Sequence, residues 1–231
     1  MMQKMMKRYP LFIGMGFMIV VIAVIIGAFN TANSAAYYAV EKATRDSSTS
    51  LAQLRASIES TVIWLPYFKF LGLAMILAGI TMALGVISLR LENLGKEVMG
   101  SVPAGARKSL PGRPRSAMLM RLFMMLGMLI ILIGFFVALG AARTAAAVFS
   151  NPITVIDAAA TGSSLLAGLA NVHAAEAWLE AFKFVGAAFF FLGIINGLST
   201  IIFALKFQQN AIPDVVEHLP ANVVPAPAAG D

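Results

Sequence analysis

The sequence predicts an all-α integral membrane protein in which four transmembrane helices form two tandem parallel repeats, with cytoplasmic N- and C-termini. Three observations support this prediction: four long apolar segments, an uneven distribution of Lys and Arg among the connecting segments, and an internal similarity at a fixed offset. Of the 231 residues, 59% are hydrophobic and only 12% are charged, whereas a typical soluble domain has about 25% charged residues. This deficit excludes an ordinary soluble fold.

Each of the four apolar segments has the length of a membrane-spanning helix, which needs about 20 mostly apolar residues. They are TM1 (11–29), TM2 (67–89), TM3 (122–142) and TM4 (182–207). TM1 also resembles a secretory signal peptide, because basic residues precede it and small residues follow it. Its apolar stretch is longer than the roughly 7–15 residues of a signal peptide, so we expect TM1 to be retained.

The orientation follows from the basic residues. The N-terminal segment, the TM2–TM3 loop and the tail carry 11 Lys and Arg, and the other side carries six. Because basic residues favour the cytoplasmic side, both termini and the central loop are predicted to be cytoplasmic. The segments 30–66 and 143–181 then face outward. We expect this topology in the plasma (inner) membrane of a bacterium or archaeon.

An internal duplication is the most specific signal in the sequence. At an offset of 114 residues, 10 of the 21 positions from 64 to 84 are identical to their counterparts. TM1 and TM3 align less clearly at an offset of 113, which pairs Gly14 with Gly127. Two copies with the same orientation should be related by an axis along the membrane normal. The predicted divisions are a first repeat (1–98), a basic linker (99–121), a second repeat (122–209) and a disordered tail (210–231).

The two outer segments are predicted to be amphipathic helices. In the first, Ser34 can cap a helix, a polar break follows at 46–50, and apolar residues then recur at three- and four-residue spacing. The second shows a similar stripe after Asn151 and Pro152, which are typical of a helix start. We expect each stripe to lie on the membrane surface or against its counterpart.

Small residues recur within the second transmembrane helix of each repeat. Residues of this kind let helix backbones approach closely in lipid. One interpretation is an oligomerisation or partner face. We favour packing between TM2 and TM4, because a four-helix bundle needs such contacts. The predicted packing residues are Gly72, Gly79, Ala83, Gly186, Gly193 and Gly197.

A second set of residues that correspond between the two repeats lies at the predicted outer boundary of the membrane. It consists of Trp64, Lys69, Trp178 and Lys183. These side chains are expected to act as interfacial anchors or headgroup contacts, since a lysine near a helix end extends its ammonium to the headgroups. Glu180 can pair with Lys183 at a spacing of three residues. Alternatively, the two lysines form a symmetric anion site.

The linker carries a cluster of cations at Arg107, Lys108, Arg113 and Arg115. Such a cluster on the cytoplasmic side is typical of a patch that binds anionic lipid. The same residues could serve only to set the topology.

The sequence predicts no active site and no cofactor. It has no cysteine, which excludes disulfides, thiolate metal sites and cysteine nucleophiles. His173 and Glu176 have a helical spacing compatible with shared ligation, but two ligands fall short of a usual metal site. The other histidine, His218, lies in the tail, across the predicted membrane. No nucleotide-binding motif and no intramembrane acid–base pair occurs, and nucleic acid is not an expected partner.

These features favour a non-catalytic structural or accessory subunit that packs within a larger membrane complex. Its expected partners are membrane lipids and other membrane subunits, or further copies of itself. One alternative is a small-solute transporter or channel at the repeat interface, since repeats often frame a solute site. Another is a membrane sensor whose outer helices receive a ligand.

Overall fold

The computed structural model of the chain describes residues 8–101, 112 and 114–217. Four of its helices are long and apolar enough to cross a membrane, which indicates a membrane-embedded protein. Within the described ranges the structure is entirely helical apart from short connections. The helices are α1 (Tyr9–Tyr38), α2 (Lys42–Ser47), α3 (Thr49–Ser101), α4 (Arg115–Phe149), α5 (Ile153–Asp157) and α6 (Ser164–Glu217).

Two of these helices are much longer than a membrane is thick. α3 has 53 residues, which at 1.5 Å per residue gives a length of about 80 Å, whereas the hydrocarbon core measures about 30 Å. α3 therefore contains residues 49–66 of the first outer segment, TM2 and the start of the linker in one helix, and α6 contains residues 164–181 of the second outer segment, TM4 and the start of the tail. The outer segments are largely helical, as expected, but these parts continue the transmembrane helices, and only the short helices α2 and α5 are separate.

The sequence prediction failed at several helix ends. Ser34 does not cap a helix: it lies half-buried inside α1, where its hydroxyl donates a hydrogen bond to the Asn30 carbonyl at 2.9 Å, a local bond that satisfies the hydroxyl within the helix. In the predicted break between helices at 46–50, only Ser48 is not helical. At the other end, α6 continues to Glu217, so residues 210–217 of the predicted disordered tail are helical.

The long helices pack in two hairpin pairs. α1 packs on α3, and α4 packs on α6, while α3 lies in the middle and also contacts α4 and α6. The short helices α2 and α5 contact each other near the predicted outer end. α3 is therefore the helix around which the other three long helices are arranged.

The core between the two pairs is apolar and continuous. In the middle, Ala74 and Ala78 of α3 pack with Ile131 of α4 and Phe190 of α6. Further out, the Tyr67 hydroxyl donates a hydrogen bond to the Leu179 carbonyl at 2.5 Å. Beyond that level, the outer parts of α3 and α6 pack with the end of α4 and with α5. Leu165, Leu169 and Val172 of the second outer stripe belong to this cluster, whereas Val62 of the first is 52% exposed.

Candidate functional site

A seam of glycines joins α1 to α3. A Cβ atom added at Gly72 would lie 2.8 Å from the Gly16 carbonyl oxygen, and one added at Gly79 would lie 3.1 Å from the Tyr9 carbonyl oxygen. Contacts this short mean that the two backbones touch directly. We call Gly16, Gly72 and Gly79 the first seam.

A second seam joins α4 to α6. A Cβ atom added at Gly127 would lie 2.9 Å from the Gly186 carbonyl oxygen, and one added at Gly193 would lie 3.3 Å from the Met120 carbonyl oxygen. We call Gly127, Gly186 and Gly193 the second seam. Close backbone approach of this kind is what small residues permit in lipid.

The predicted packing of these glycines between TM2 and TM4 is therefore wrong for four of them. Gly72 and Gly79 face α1, and Gly186 and Gly193 face α4, because each small face is used within its own hairpin. Gly197 does reach α3, where its Cβ position lies 3.0 Å from the Leu84 side chain. Ala83 is half-buried.

The contacts also correct the register between TM1 and TM3. Gly79 lies against Tyr9 and Ile13, and Gly193 lies against Met120 and Met124, so contacting residues correspond at an offset of 111. The expected pairing of Gly14 with Gly127 fails, because a Cβ at Gly14 meets nothing within 4 Å. Long apolar runs of similar composition do not fix a register.

The two predicted lysine anchors have different surroundings. Lys69 is exposed, and its Nζ lies 3.8 Å from the Cβ position of Gly27 on α1. The Lys183 side chain is only 12% exposed and its Nζ lies 3.0 Å from Glu180 Oε1. The same ammonium lies 5.5 Å from the Phe70 ring centre, within cation–π range. Lys69 can extend to headgroups, whereas Lys183 is held by protein groups.

The two tryptophans make matched local contacts but differ in exposure. The Trp64 ring packs edge-on against Phe68 at 5.7 Å, and the Trp178 ring packs edge-on against Phe182 at 5.5 Å. Trp64 also packs against the outer part of the core. Trp178 remains 45% exposed, so it is the better placed of the two for a contact outside the chain.

One face of α6 is open where the matching face of α3 is covered. The α3 face opposite α1 is buried under α4 and α6 at Ala56, Ile63, Tyr67, Ala74 and Ala78. The residues 114 positions later are all exposed, and we call them the open face of α6: Ala170, Ala177, Ala181, Ala188 and Leu192. The sequence did not reveal this face, because matching positions in the two repeats are covered on α3 and exposed on α6.

The open face, of which Ala188 and Leu192 lie within the predicted TM4 and the other three residues within the predicted outer segment, differs in composition from other exposed surfaces of the long helices. The exposed side of α1 carries large side chains such as Phe17, Val24 and Phe29, and α4 likewise exposes Leu129 and Ile133. The open face instead has alanine at four of its five positions, with the exposed large side chains Phe184, Val185 and Phe191 beside them on α6. Small residues are enriched where transmembrane helices meet, so this face has the composition of a helix-packing surface.

A polar cavity of about 340 Å³ opens near the outer end, between α3, α5 and α6. Its charged lining consists of Arg55, Glu59, Asp157, His173 and Glu176. The His173 Nδ1 lies 3.6 Å from Glu176 Oε2. In the described part of the chain, no group of three or more His, Cys, Asp or Glu residues could hold a metal ion.

Most of the predicted lipid patch cannot be placed, since Arg107, Lys108 and Arg113 lie outside the described residues. Arg115 is the first residue of α4 and is exposed. His218 also lies outside the described residues.

Comparison with protein-family models, with curated proteins and with solved structures finds no significant match to this chain.

Proposed function

We propose that this protein is a non-catalytic structural or accessory subunit that joins a larger membrane assembly through the open face of α6. The observation that carries the proposal is the contrast between α3 and α6: faces at equivalent positions are covered by helices on α3 and exposed on α6, where four of the five residues are alanine. Lipid chains pack against large apolar side chains as well as protein does, but they do not reproduce a close backbone contact.

The proposal includes a tandem duplication with both termini in the cytoplasm. It is supported by the two seams, whose contacting residues correspond one to one, and by the helix order, in which a long helix, a short helix and a very long helix occur twice. The excess of Lys and Arg in the termini and linker supports the orientation. The plasma (inner) membrane of a bacterium or archaeon remains the expected location.

The partner that fits the open face is a transmembrane helix with its own small residues, as α4 is for α3. The second repeat covers α3 of the first, but nothing in the described part of the chain covers the equivalent face of α6, so the contact between repeats is head-to-tail. Head-to-tail contacts can continue from one molecule to the next. A second copy of this chain is therefore the simplest partner, and another membrane subunit is the alternative.

A transporter or channel is less well supported. Transporters hold their solute near the bilayer midplane between the repeats, but here that level is filled by Ala74, Leu77, Ile131 and Phe190. The cavities found among the described residues lie toward the two ends of the helices. At Thr81, a polar side chain buried in the membrane, the hydroxyl bonds the Leu77 carbonyl of its own helix.

A sensor function is the second candidate, favoured by the outer cavity. Three carboxylates face one arginine and one histidine there, so a small organic cation is the ligand class that its charge favours. Spermidine should then raise the melting temperature of the wild type but not of Glu59→Gln. Equal responses would remove this candidate.

The experiment that tests the main proposal is a mass measurement on complexes extracted with their native lipids. The wild type should be recovered with one or more further chains bound. Ala188→Trp should release them, because the bulky ring separates the helices, and Ile133→Trp on the exposed side of α4 should not. A wild type that is monomeric, or equal behaviour of the two variants, would rule the proposal out.

A further inference from the structure

A cavity of about 120 Å³ lies at the predicted cytoplasmic ends of α3, α4 and α6. Its walls are largely apolar and include Leu89, Phe203 and Phe207. Arg121, Lys96 and Glu92 are the charged side chains among its lining residues. The cavity thus combines an apolar surface with charged groups at the level where a membrane changes from hydrocarbon to headgroups.

Arg121 is the unusual member of this lining. Its Nε is buried, and no hydrogen-bond partner for it occurs among the described residues. A buried donor left without an acceptor costs about 1–3 kcal/mol, and more when the group is charged. Lys96, by contrast, is bonded to Glu92, with 2.8 Å between Nζ and Oε1. Of the two cations that line the cavity, Arg121 is therefore the one whose Nε has no partner among the described residues.

We infer that this cavity binds the phosphate of an anionic phospholipid, with Arg121 as the main contact. Two oxygens of a phosphate can accept a pair of parallel hydrogen bonds from the planar guanidinium. Basic pockets between transmembrane helices on the cytoplasmic side are typical sites for anionic lipid headgroups. The volume admits a headgroup but not a whole lipid, so the acyl chains lie outside, along the exposed Phe203.

The depth of the site fits this ligand. Arg121 directly precedes the predicted start of TM3 at 122, and Lys96 lies seven residues, about two turns, beyond the predicted end of TM2 at 89. When a lipid enters between α3 and α6, its acyl chains would thus lie against the apolar walls. The part of its headgroup beyond the phosphate would then lie toward Lys96. Free phosphate carries the same anionic group as the lipid but has no acyl chains. An experiment can therefore distinguish binding of the phospholipid from binding of free phosphate.

The test is a titration of the delipidated full-length protein in detergent, followed by native mass spectrometry. Phosphatidylglycerol, phosphatidylcholine and inorganic phosphate are the three probes. Arg121→Gln should weaken phosphatidylglycerol binding about tenfold or more, as loss of a hydrogen bond to a charged group does. The control is Arg90→Gln, which removes the same charge from an exposed position outside the cavity lining and should change binding less than about twofold.

A second variant covers the case in which Arg121→Gln does not fold. Ala204→Leu fills part of the cavity wall and keeps every charge, and it should also weaken phosphatidylglycerol binding. The inference fails if phosphatidylcholine binds as tightly as phosphatidylglycerol, if inorganic phosphate binds equally well, or if neither cavity variant differs from Arg90→Gln.

Discussion

Gly16 and Gly72 touch through their backbones: a Cβ atom on Gly16 would lie 2.5 Å from the Gly72 carbonyl oxygen, and one on Gly72 would lie 2.8 Å from that of Gly16. Neither residue can gain a side chain unless the helices move apart. The first seam therefore depends on glycine at both positions. In the second seam a Cβ on Gly127 would meet the Gly186 carbonyl oxygen in the same way, whereas one on Gly186 would meet the Ile131 side chain.

Gly16→Ala should lower the free energy of unfolding by about 1–3 kcal/mol, the usual range for overpacking. Gly14→Ala is the matched control, because it lies two residues away on the same helix and meets open space. It should be neutral or slightly stabilising, since alanine favours helix. Thermal melting in detergent compares the two, and equal melting temperatures would contradict the seam.

The second seam should respond in the same way. Gly127→Ala should destabilise the protein, because its Cβ would meet both the Gly186 carbonyl and the Phe190 ring, whereas Gly140→Ala should not, because its Cβ meets nothing within 4 Å. The same melting assay measures both variants. A harmless Gly127→Ala would mean that α4 and α6 are not in backbone contact.

The Tyr67 hydroxyl links the two hairpin pairs. Its ring packs against Gly134 of α4 and its hydroxyl bonds the Leu179 carbonyl of α6. Tyr67→Phe should cost about 0.5–1.5 kcal/mol, the net value of one buried hydrogen bond. Tyr38→Phe, whose residue is 63% exposed, should cost nothing measurable in the same denaturation assay, and a larger loss there than at Tyr67 would refute the role of this bond.

Reporter fusions test the topology. Fusions after residue 100 and after residue 231 should both report the cytoplasm, because Lys and Arg are concentrated in the termini and linker. The purified chain should also keep its full mass of 24.5 kDa, since α1 runs without interruption through the segment that resembles a signal cleavage site. An outward reading for either fusion, or loss of the first 36 residues, would overturn the four-pass arrangement.

The number and position of the long apolar helices could be predicted from sequence because lipid imposes a simple rule on length and composition. Helix ends were less predictable. The polar segment around Ser48 contains several good capping residues, and Ser48 does cap α3, because its hydroxyl accepts a hydrogen bond from the Leu51 N–H at 3.4 Å. Only this one residue separates α2 from α3, so the break is shorter than the polar composition predicts.

The partners of the small residues could not be predicted at all. Gly79 and Gly193 stand out in the sequence, but a glycine marks only that something approaches closely, not which helix does so. The open face and the Arg121 cavity were missed for a related reason. Both depend on how α3, α4 and α6 sit together, and no local pattern distinguishes Ala188, which is exposed, from Ala74, which is buried.

The most direct test of the central claim is photo-crosslinking in intact membranes from position 188. A benzophenone amino acid at Ala188 should yield a discrete protein adduct, near twice the 24.5 kDa of the single chain if the partner is a second copy. The same group at Ile133, which is exposed on α4, should yield lipid adducts only. Lipid adducts alone at both positions would contradict the account, because the open face of α6 would then face the bilayer.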